Sequence, residues 1–142
     1  MNPLRSLTDY ELFIYTLAQR YPAIVQSTLV VVRRGAEVAR LEGEVELPNR
    51  IRLIVREKIS FAKSVGEITD YGYEVWRGAE QLYWYDSQPH PGDASLGSTY
   101  PHHKHVPPDI RHHRLPAPGL SFTPPNLPFL IAEIERALLP ES

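Results

Sequence analysis

The chain has 142 residues, and its 15 basic and 17 acidic side chains give a formal net charge of −2. Without a net positive field, binding of nucleic acid requires a local basic surface. The absence of cysteine excludes disulfides, thiolate metal sites and cysteine nucleophiles. No apolar leader or membrane span is visible, so we expect a soluble, cytoplasmic protein with one domain over residues 1–142.

The first predicted element is an amphipathic helix. The sequence TDYE predicts a capping box, with Thr8 as N-cap and Glu11 at the third helical position. Apolar residues then recur at helical spacing as far as Tyr21, and Pro22 ends the pattern.

Five β-strands are predicted next. They cover Ser27–Arg33, Ala39–Leu47, Ile51–Phe61, Glu67–Arg77 and Gln81–Asp86. In the second strand, apolar residues alternate with four charged ones: Arg40, Glu42, Glu44 and Glu46. This alternation indicates a strand with one face in water. Because the connections are short, neighbouring strands are predicted to pair antiparallel as a meander.

A proline-rich segment from Ser87 to Pro125 follows the strands. Since proline has no amide hydrogen to donate, we predict neither ordinary strand nor ordinary helix there. A connector of this length in a compact domain is usually functional or disordered. Apolar residues from Leu127 to Leu138 then predict a closing helix with Asn126 as N-cap.

The predicted fold is therefore an α+β domain with a five-stranded antiparallel meander. Its N-terminal and C-terminal helices are expected to pack on one face of the sheet. The proline-rich segment is expected to lie over an edge or the open face. That course brings the residues from His102 to His105 close to Asp86 and His90.

All six histidines lie in this segment, between His90 and His113. One interpretation is a metal site, because His103 and His105 point to the same side of an extended backbone and can bind zinc, copper or nickel. A third ligand is available from three residues: His90, Asp86 or Asp93. The positive charge of Lys104 inside the pair argues against such a site, so we predict no metal and no other cofactor.

A second interpretation is RNA cleavage without metal. One histidine removes the proton of the 2′-hydroxyl, another protonates the leaving oxygen, and a cation stabilises the charge on the phosphate. The run from His102 to His105 supplies all of these groups. A third interpretation is a solvated loop whose histidines cap helices and bind backbone carbonyls, with a separate basic turn from Arg111 to Arg114. The residues alone leave these interpretations open.

The stretch YWYDSQPHPG…YPHHKHVPPD resembles the TumE-type toxin family of prokaryotic toxin–antitoxin systems. The shared pattern is a strand ending in aromatic residues and Asp86, then Pro89-His90, a spacer, and the run PHHKH. The sequence departs from that pattern at Pro91, where a second histidine is expected. The resemblance implies a toxin partnered by a cognate antitoxin protein, with no membrane, and it leaves RNA as a partner and a homo-oligomer open.

A predicted RNA-binding surface lies on the sheet. Arg52 and Arg56 share a face of one strand, and four tyrosines follow a period of two on the next strands: Tyr71, Tyr73, Tyr83 and Tyr85. On such a surface the arginines bind phosphates and the tyrosine rings stack on bases. This requires the arginines and the tyrosines to share one face of the sheet. Alternation within single strands does not decide whether they do. The predicted contacts are Arg52, Arg56, Lys58, Tyr83, Tyr85, Arg111 and Arg114.

The leading prediction is a toxin that acts as a metal-independent ribonuclease. Its predicted catalytic residues are His102, His103, Lys104, His105, His90 and Asp86. His103 or His105 serves as general acid or base, Lys104 holds the phosphate, and Asp86 orients an imidazole. The alternatives are a non-enzymatic module that binds a partner protein, including a toxin that acts by binding alone, and a metal-binding protein.

Overall fold

An antiparallel sheet with helices against one face makes up the part of the chain that the computed structural model describes, residues 2–89 and 92–139. The helices are α1 (Leu7–Tyr15), α2 (Leu17–Arg20) and α3 (Leu127–Ala137), with 3-10 turns at Pro3–Arg5 and Ala94–Thr99. The strands are β1 (Gln26–Ser27), β2 (Val30–Arg33), β3 (Val38–Leu47), β4 (Ile51–Ser60), β5 (Glu67–Arg77), β6 (Glu80–Asp86), β7 (His103–His105) and β8 (Arg114–Pro116). None of the helices in these residues is long and apolar enough to cross a membrane.

The α+β class and the antiparallel order are confirmed, but the described sheet has eight strands rather than five. The predicted first strand is divided into β1 and β2, which both pair with β3. The division lies opposite Gly43, which has a φ of +136°, and a Cβ atom there would lie 2.6 Å from the carbonyl oxygen of Thr28. The backbone between β1 and β2 therefore lies too close to β3 for residue 43 to carry a side chain.

The other two additional strands come from the proline-rich segment. β7 pairs with β6, and β8 pairs with β7 at the outside of the sheet. The prediction that prolines exclude strands here is wrong, because three-residue strands at a sheet edge need few amide donors. Pro116 ends β8, the outermost strand of the sheet.

The helix caps differ from the predicted ones. Ser6 rather than Thr8 caps α1, since its Oγ accepts a hydrogen bond from the amide of Asp9 at 3.1 Å. Asn126 precedes α3 as predicted, but its side chain makes no cap to that helix. Instead its amide donates to the hydroxyl of Tyr73 at 3.0 Å, which joins the start of α3 to the sheet.

One hydrophobic core fills the space between the inner face of the sheet and the helices. α1, α2 and α3 contribute buried residues to it together with every long strand. The hydroxyl of Tyr10 on α1 donates to Glu57 on β4, and so does that of Tyr73 on β5. Both terminal helices therefore pack on the same face of the sheet, as predicted, and the opposite face is left open.

Candidate functional site on the open sheet face

The pairing of β6 with β7 brings polar side chains together on the open face. Asp86 lies opposite His103, and Trp84 lies opposite His105. Opposite residues of paired strands project to the same side, and residues two apart along a strand do so as well. The carboxylate, the two imidazoles and the indole therefore share the face that points away from the helices.

The carboxylate and the two rings form a tight cluster. His103 Nε2 lies 2.8 Å from Asp86 Oδ1, and His105 Nε2 lies 3.4 Å from Asp86 Oδ2. The two Nε2 atoms are 3.1 Å apart. The His103 and His105 residues are only 1% and 3% exposed, whereas the side chain of Asp86 is 20% exposed. Asp86 is therefore the member of the cluster that solvent reaches most readily.

Backbone carbonyls orient both rings. His103 Nδ1 lies 3.0 Å from the oxygen of Pro101, and His105 Nδ1 lies 2.9 Å from the oxygen of Ile110. A carbonyl oxygen can only accept a hydrogen bond, so each Nδ1 carries a hydrogen and donates it. The Nε2 atom of each ring is then the one directed at Asp86.

The cluster shifts the protonation of its members. Burial works to raise the pKa of Asp86, but hydrogen bonds from His103 and His105 outweigh it and hold that pKa below its usual range. Burial works to lower the pKa of His103, and the charge of Arg114 adds to this, but the bonds to Asp86 and Pro101 outweigh both and raise it. Near neutral pH the pair is therefore a carboxylate beside an imidazole that holds its proton more strongly than usual.

Arg56 completes the site from β4. It lies opposite Gly72 on β5, and Gly72 in turn lies opposite Asp86 on β6. A Cβ atom at Gly72 would come within 2.2 Å of an Arg56 guanidinium nitrogen, so the guanidinium lies over this glycine. Within the described residues, Arg56 makes no hydrogen bond and no ion pair.

Two cavities meet at Arg56 and Asp86. One has a volume of about 210 Å³ and is also lined by Glu74 and Trp84. The other has a volume of about 540 Å³ and extends to Phe122. Arg56, Trp84, Asp86, His103 and His105 are referred to below as the sheet-face site.

Two predicted catalytic residues lie on the other face of the sheet. Lys104 alternates with its histidine neighbours, so its Nζ points inward, 3.4 Å from Glu133 Oε2 and 4.2 Å from the centre of the Tyr83 ring. His102 stacks on Tyr71 and shares a 2.6 Å hydrogen bond with its hydroxyl. The prediction that Lys104 and His102 act beside His103 and His105 is therefore corrected, because alternation along the strand places the two pairs on opposite faces of the sheet. His90 lies outside the described residues.

The predicted RNA-binding residues are also divided between the faces. Tyr83 and Tyr85 are buried in the core, so they cannot stack on bases beside Arg56. Arg52 lies on the open face but is engaged by Glu44 at 3.2 Å. Lys58 is exposed on the open face, opposite Arg40 of β3.

The remaining predicted cations lie beyond the long strands. Arg111 is exposed in the turn before β8, and Arg114 lies opposite His105. Trp76 and Trp84 are aromatic residues of the long strands that lie on the open face, and the sequence interpretation missed them. The signal in the sequence was that these tryptophans alternate with the tyrosines, which places the two kinds of ring on opposite faces of a strand.

The comparisons with known proteins identify the family. The model of the family described as Toxin TumE matches residues 14–138 of the 142-residue chain. The chain belongs to the TumE toxin family. The match spans every described residue of the sheet-face site, and it confirms the resemblance found in the sequence. Neither a curated protein nor a solved structure matches the chain. The TumE family indicates a toxin of a toxin–antitoxin system, and hence an antitoxin as a partner in general.

Proposed function

We propose that this TumE-family toxin cleaves RNA at the sheet-face site. The observation that supports the proposal most is the guanidinium of Arg56, which has no acidic partner among the described residues and lies over Gly72 beside Asp86. A guanidinium that is available in this way suits the bidentate binding of a phosphate.

The shape of the open face fits a single strand better than a duplex. The two cavities adjoin at Arg56 and Asp86, and their volumes of about 210 and 540 Å³ suit single nucleotides on either side of one phosphate. Trp84 lines the smaller cavity and offers an aromatic surface for a base. The phosphate over Arg56 is then the one beside the carboxylate and imidazoles.

The proposed reaction is attack of a 2′-oxygen on the neighbouring phosphorus with breakage of the bond to O5′. A base takes the 2′-hydroxyl proton, an acid returns one to O5′, and a cation stabilises the charge on the phosphate. Arg56 supplies the cation in place of Lys104. His103 and His105 do not meet the substrate directly, because both nitrogens of each ring already have partners. Asp86 lines both cavities and contacts both rings, so it is the group that exchanges these protons with the substrate, directly or through water, and the rings support it.

The test is expression of the chain in bacteria without its antitoxin, followed by growth measurement and mapping of RNA ends. The wild type is expected to arrest growth and to produce new RNA ends. Arg56→Ala is expected to lower cleavage of a purified RNA at least about tenfold, because the phosphate loses its cation. Arg40→Ala is the matched control, since Arg40 is also exposed on a neighbouring strand of the open face.

The alternative of a toxin that acts by binding alone gives a different result. In that case growth arrest persists while RNA stays intact, and Arg56→Ala arrests growth as strongly as Arg40→Ala. That outcome would contradict the ribonuclease proposal and leave the family assignment untouched.

A further inference from the structure

The donor atoms of Asp86, His103 and His105 are spaced as ligands of one metal ion are. His103 Nε2 lies 2.8 Å from Asp86 Oδ1, His105 Nε2 lies 3.4 Å from the other carboxylate oxygen, Oδ2, and the two Nε2 atoms are 3.1 Å apart. Two ligands that are both about 2.0–2.1 Å from a Zn²⁺ ion lie about 2.9–3.4 Å apart, for angles between octahedral and tetrahedral values. The 3.1 and 3.4 Å separations lie in this range, and the 2.8 Å separation lies just below it.

The hydrogen bonds around the rings also favour a metal ion. Each Nδ1 donates to a backbone carbonyl, which is the usual outer contact of a metal-binding histidine because it fixes the tautomer that leaves Nε2 available. Two Nε2 atoms then face each other and a carboxylate. These short contacts are held by protons when no metal ion is bound, and a metal ion can take the place of those protons.

The scaffold holds the three donors rigidly. His103 and His105 come from one strand, and Asp86 is in direct register with His103 on the next. Both rings are almost completely buried, so folding has removed them from water before any ligand binds. The objection raised by the sequence, a lysine charge inside the site, does not apply because Lys104 points to the opposite face.

From these contacts we infer that Asp86, His103 and His105 bind one divalent transition-metal ion, with Zn²⁺ the best fit. Two imidazoles and one carboxylate are the ligand set of many zinc centres that keep a coordination position open for water or substrate. Asp86 lines both cavities beside Arg56, so the ion lies next to these two cavities. In the framework of the proposed function, on which this one point rests, the ion supplies an activated water to accept the 2′-hydroxyl proton.

The metal content of the protein tests the inference directly. The chain is produced without a polyhistidine tag, and bound metal is measured by mass spectrometry after dialysis. The metal-free protein is then titrated with Zn²⁺, and with Co²⁺ as a probe whose visible spectrum reports coordination. We expect about one ion per chain and a Co²⁺ spectrum of low coordination number.

Variants separate the cluster from the other histidines. Asp86→Asn, His103→Ala and His105→Ala are each expected to weaken Zn²⁺ binding at least about 100-fold. His112→Ala is the matched control, because His112 is exposed in the turn and pairs with Asp109. Asp86→Asn keeps the size of the side chain, so circular dichroism should find it folded. Equal Zn²⁺ binding by a folded Asp86→Asn variant and the wild type would overturn the inference, as would the absence of stoichiometric metal.

The two proposals fail in different ways. Stoichiometric Zn²⁺ with intact RNA supports the metal site and contradicts the ribonuclease. RNA cleavage by a chain that holds no metal after purification and binds no Zn²⁺ in the titration supports the ribonuclease and overturns the metal site, in agreement with the metal-free reaction predicted from the sequence.

Discussion

Gly72 contributes to the sheet-face site through the space above it. The Arg56 guanidinium occupies the volume that a side chain at this position of β5 would take. A Cβ atom added at Gly72 would displace only the flexible end of the Arg56 side chain. The backbone of Gly72 has ordinary strand geometry. The lack of a side chain at residue 72 therefore determines where the Arg56 guanidinium lies, and it contributes little to the stability of the sheet.

Replacing this glycine should separate function from stability. Gly72→Ala is expected to change the free energy of unfolding by less than about 1 kcal/mol, because only a flexible side chain must move. It is expected to lower RNA cleavage at least about tenfold, because the guanidinium no longer lies beside Asp86. Gly97→Ala is the control, since its Cβ atom meets nothing within 4 Å. A fully active Gly72→Ala variant would show that the position of Arg56 is unimportant.

Glu57 is a second residue whose surroundings decide its behaviour. It is a carboxyl group in the core, 1% exposed, and it accepts hydrogen bonds from Tyr10 and Tyr73. Burial raises its pKa from 4.5 to about 7, and the two tyrosine hydrogen bonds only partly offset this. The folded protein thus binds a proton at Glu57 more strongly than the unfolded chain does.

This difference makes stability depend on pH. Because the folded pKa is raised, the contribution of Glu57 is most favourable below about pH 4.5 and declines until about pH 7. Glu57→Gln keeps the neutral form at every pH, so its stability relative to the wild type should rise by on the order of 3 kcal/mol between about pH 4 and pH 8. Urea unfolding of both proteins at each pH measures this. A constant difference would mean that Glu57 keeps an ordinary pKa.

At the level of elements, β7 illustrates how a short strand sorts its side chains. Its three residues alternate, so His103 and His105 join the open face while Lys104 enters the inner side. There the ammonium lies over Tyr83 and approaches Glu133 of α3, which also accepts a hydrogen bond from Tyr85. The lysine therefore ties the edge of the sheet to the closing helix.

The position of Lys104 on the inner side of the sheet predicts a structural role for this residue. Lys104→Met is expected to lower the free energy of unfolding by about 1 kcal/mol, since a partly buried ion pair and a cation–ring contact are lost. Toxicity and RNA cleavage at saturating protein should be unchanged. Loss of cleavage in a folded Lys104→Met protein would restore the phosphate-binding role that the sequence suggested.

The joint between β1 and β2 gives a further prediction. Gly43 has a φ of +136°. A Cβ atom added at this position would lie within 3 Å of backbone atoms of Thr28 and Leu29. Gly43→Ala is expected to lower the free energy of unfolding by about 2 kcal/mol or more, because it is strained and because backbone atoms must move. Thermal unfolding measures the change, and Gly97→Ala is again the control. An unchanged melting temperature would show that the edge strand shifts freely.

Over the whole molecule, one core joins the helices to the sheet. Residues from α1, α2, α3 and the long strands belong to a single buried cluster, so no part of residues 2–89 and 92–139 has a core of its own. β7 and β8 lie at the far edge and reach that cluster through Lys104 and the residues that follow β8, including Ala117 and Leu120. The single domain predicted from the chain length should therefore unfold as one unit.

Cooperativity is measurable with two probes. Circular dichroism reports the sheet and helices, while fluorescence reports Trp76 and Trp84 on the open face. We expect both signals to change at the same urea concentration, because unfolding is all-or-none for most single domains of this size. An earlier fluorescence transition would mean that the edge carrying the sheet-face site opens separately.

The sequence by itself determined the local elements. Alternation between residues 27 and 86 predicted the long strands, because each strand must present one apolar side to a core. Helical spacing predicted α1 and α3, and the run PHHKH identified the family later confirmed over residues 14–138. Parity within β7 also placed His103 and His105 together.

Only the tertiary structure decided how the elements face one another. Parity assigns side chains to two faces within a strand, but pairing and register decide which faces of different strands coincide. This is why Arg56 and Trp84 share the open face while Tyr83 and Tyr85 lie in the core. The proline-rich segment forms edge strands because β6 offers it unpaired backbone groups, and a strand edge exists only once the sheet is assembled.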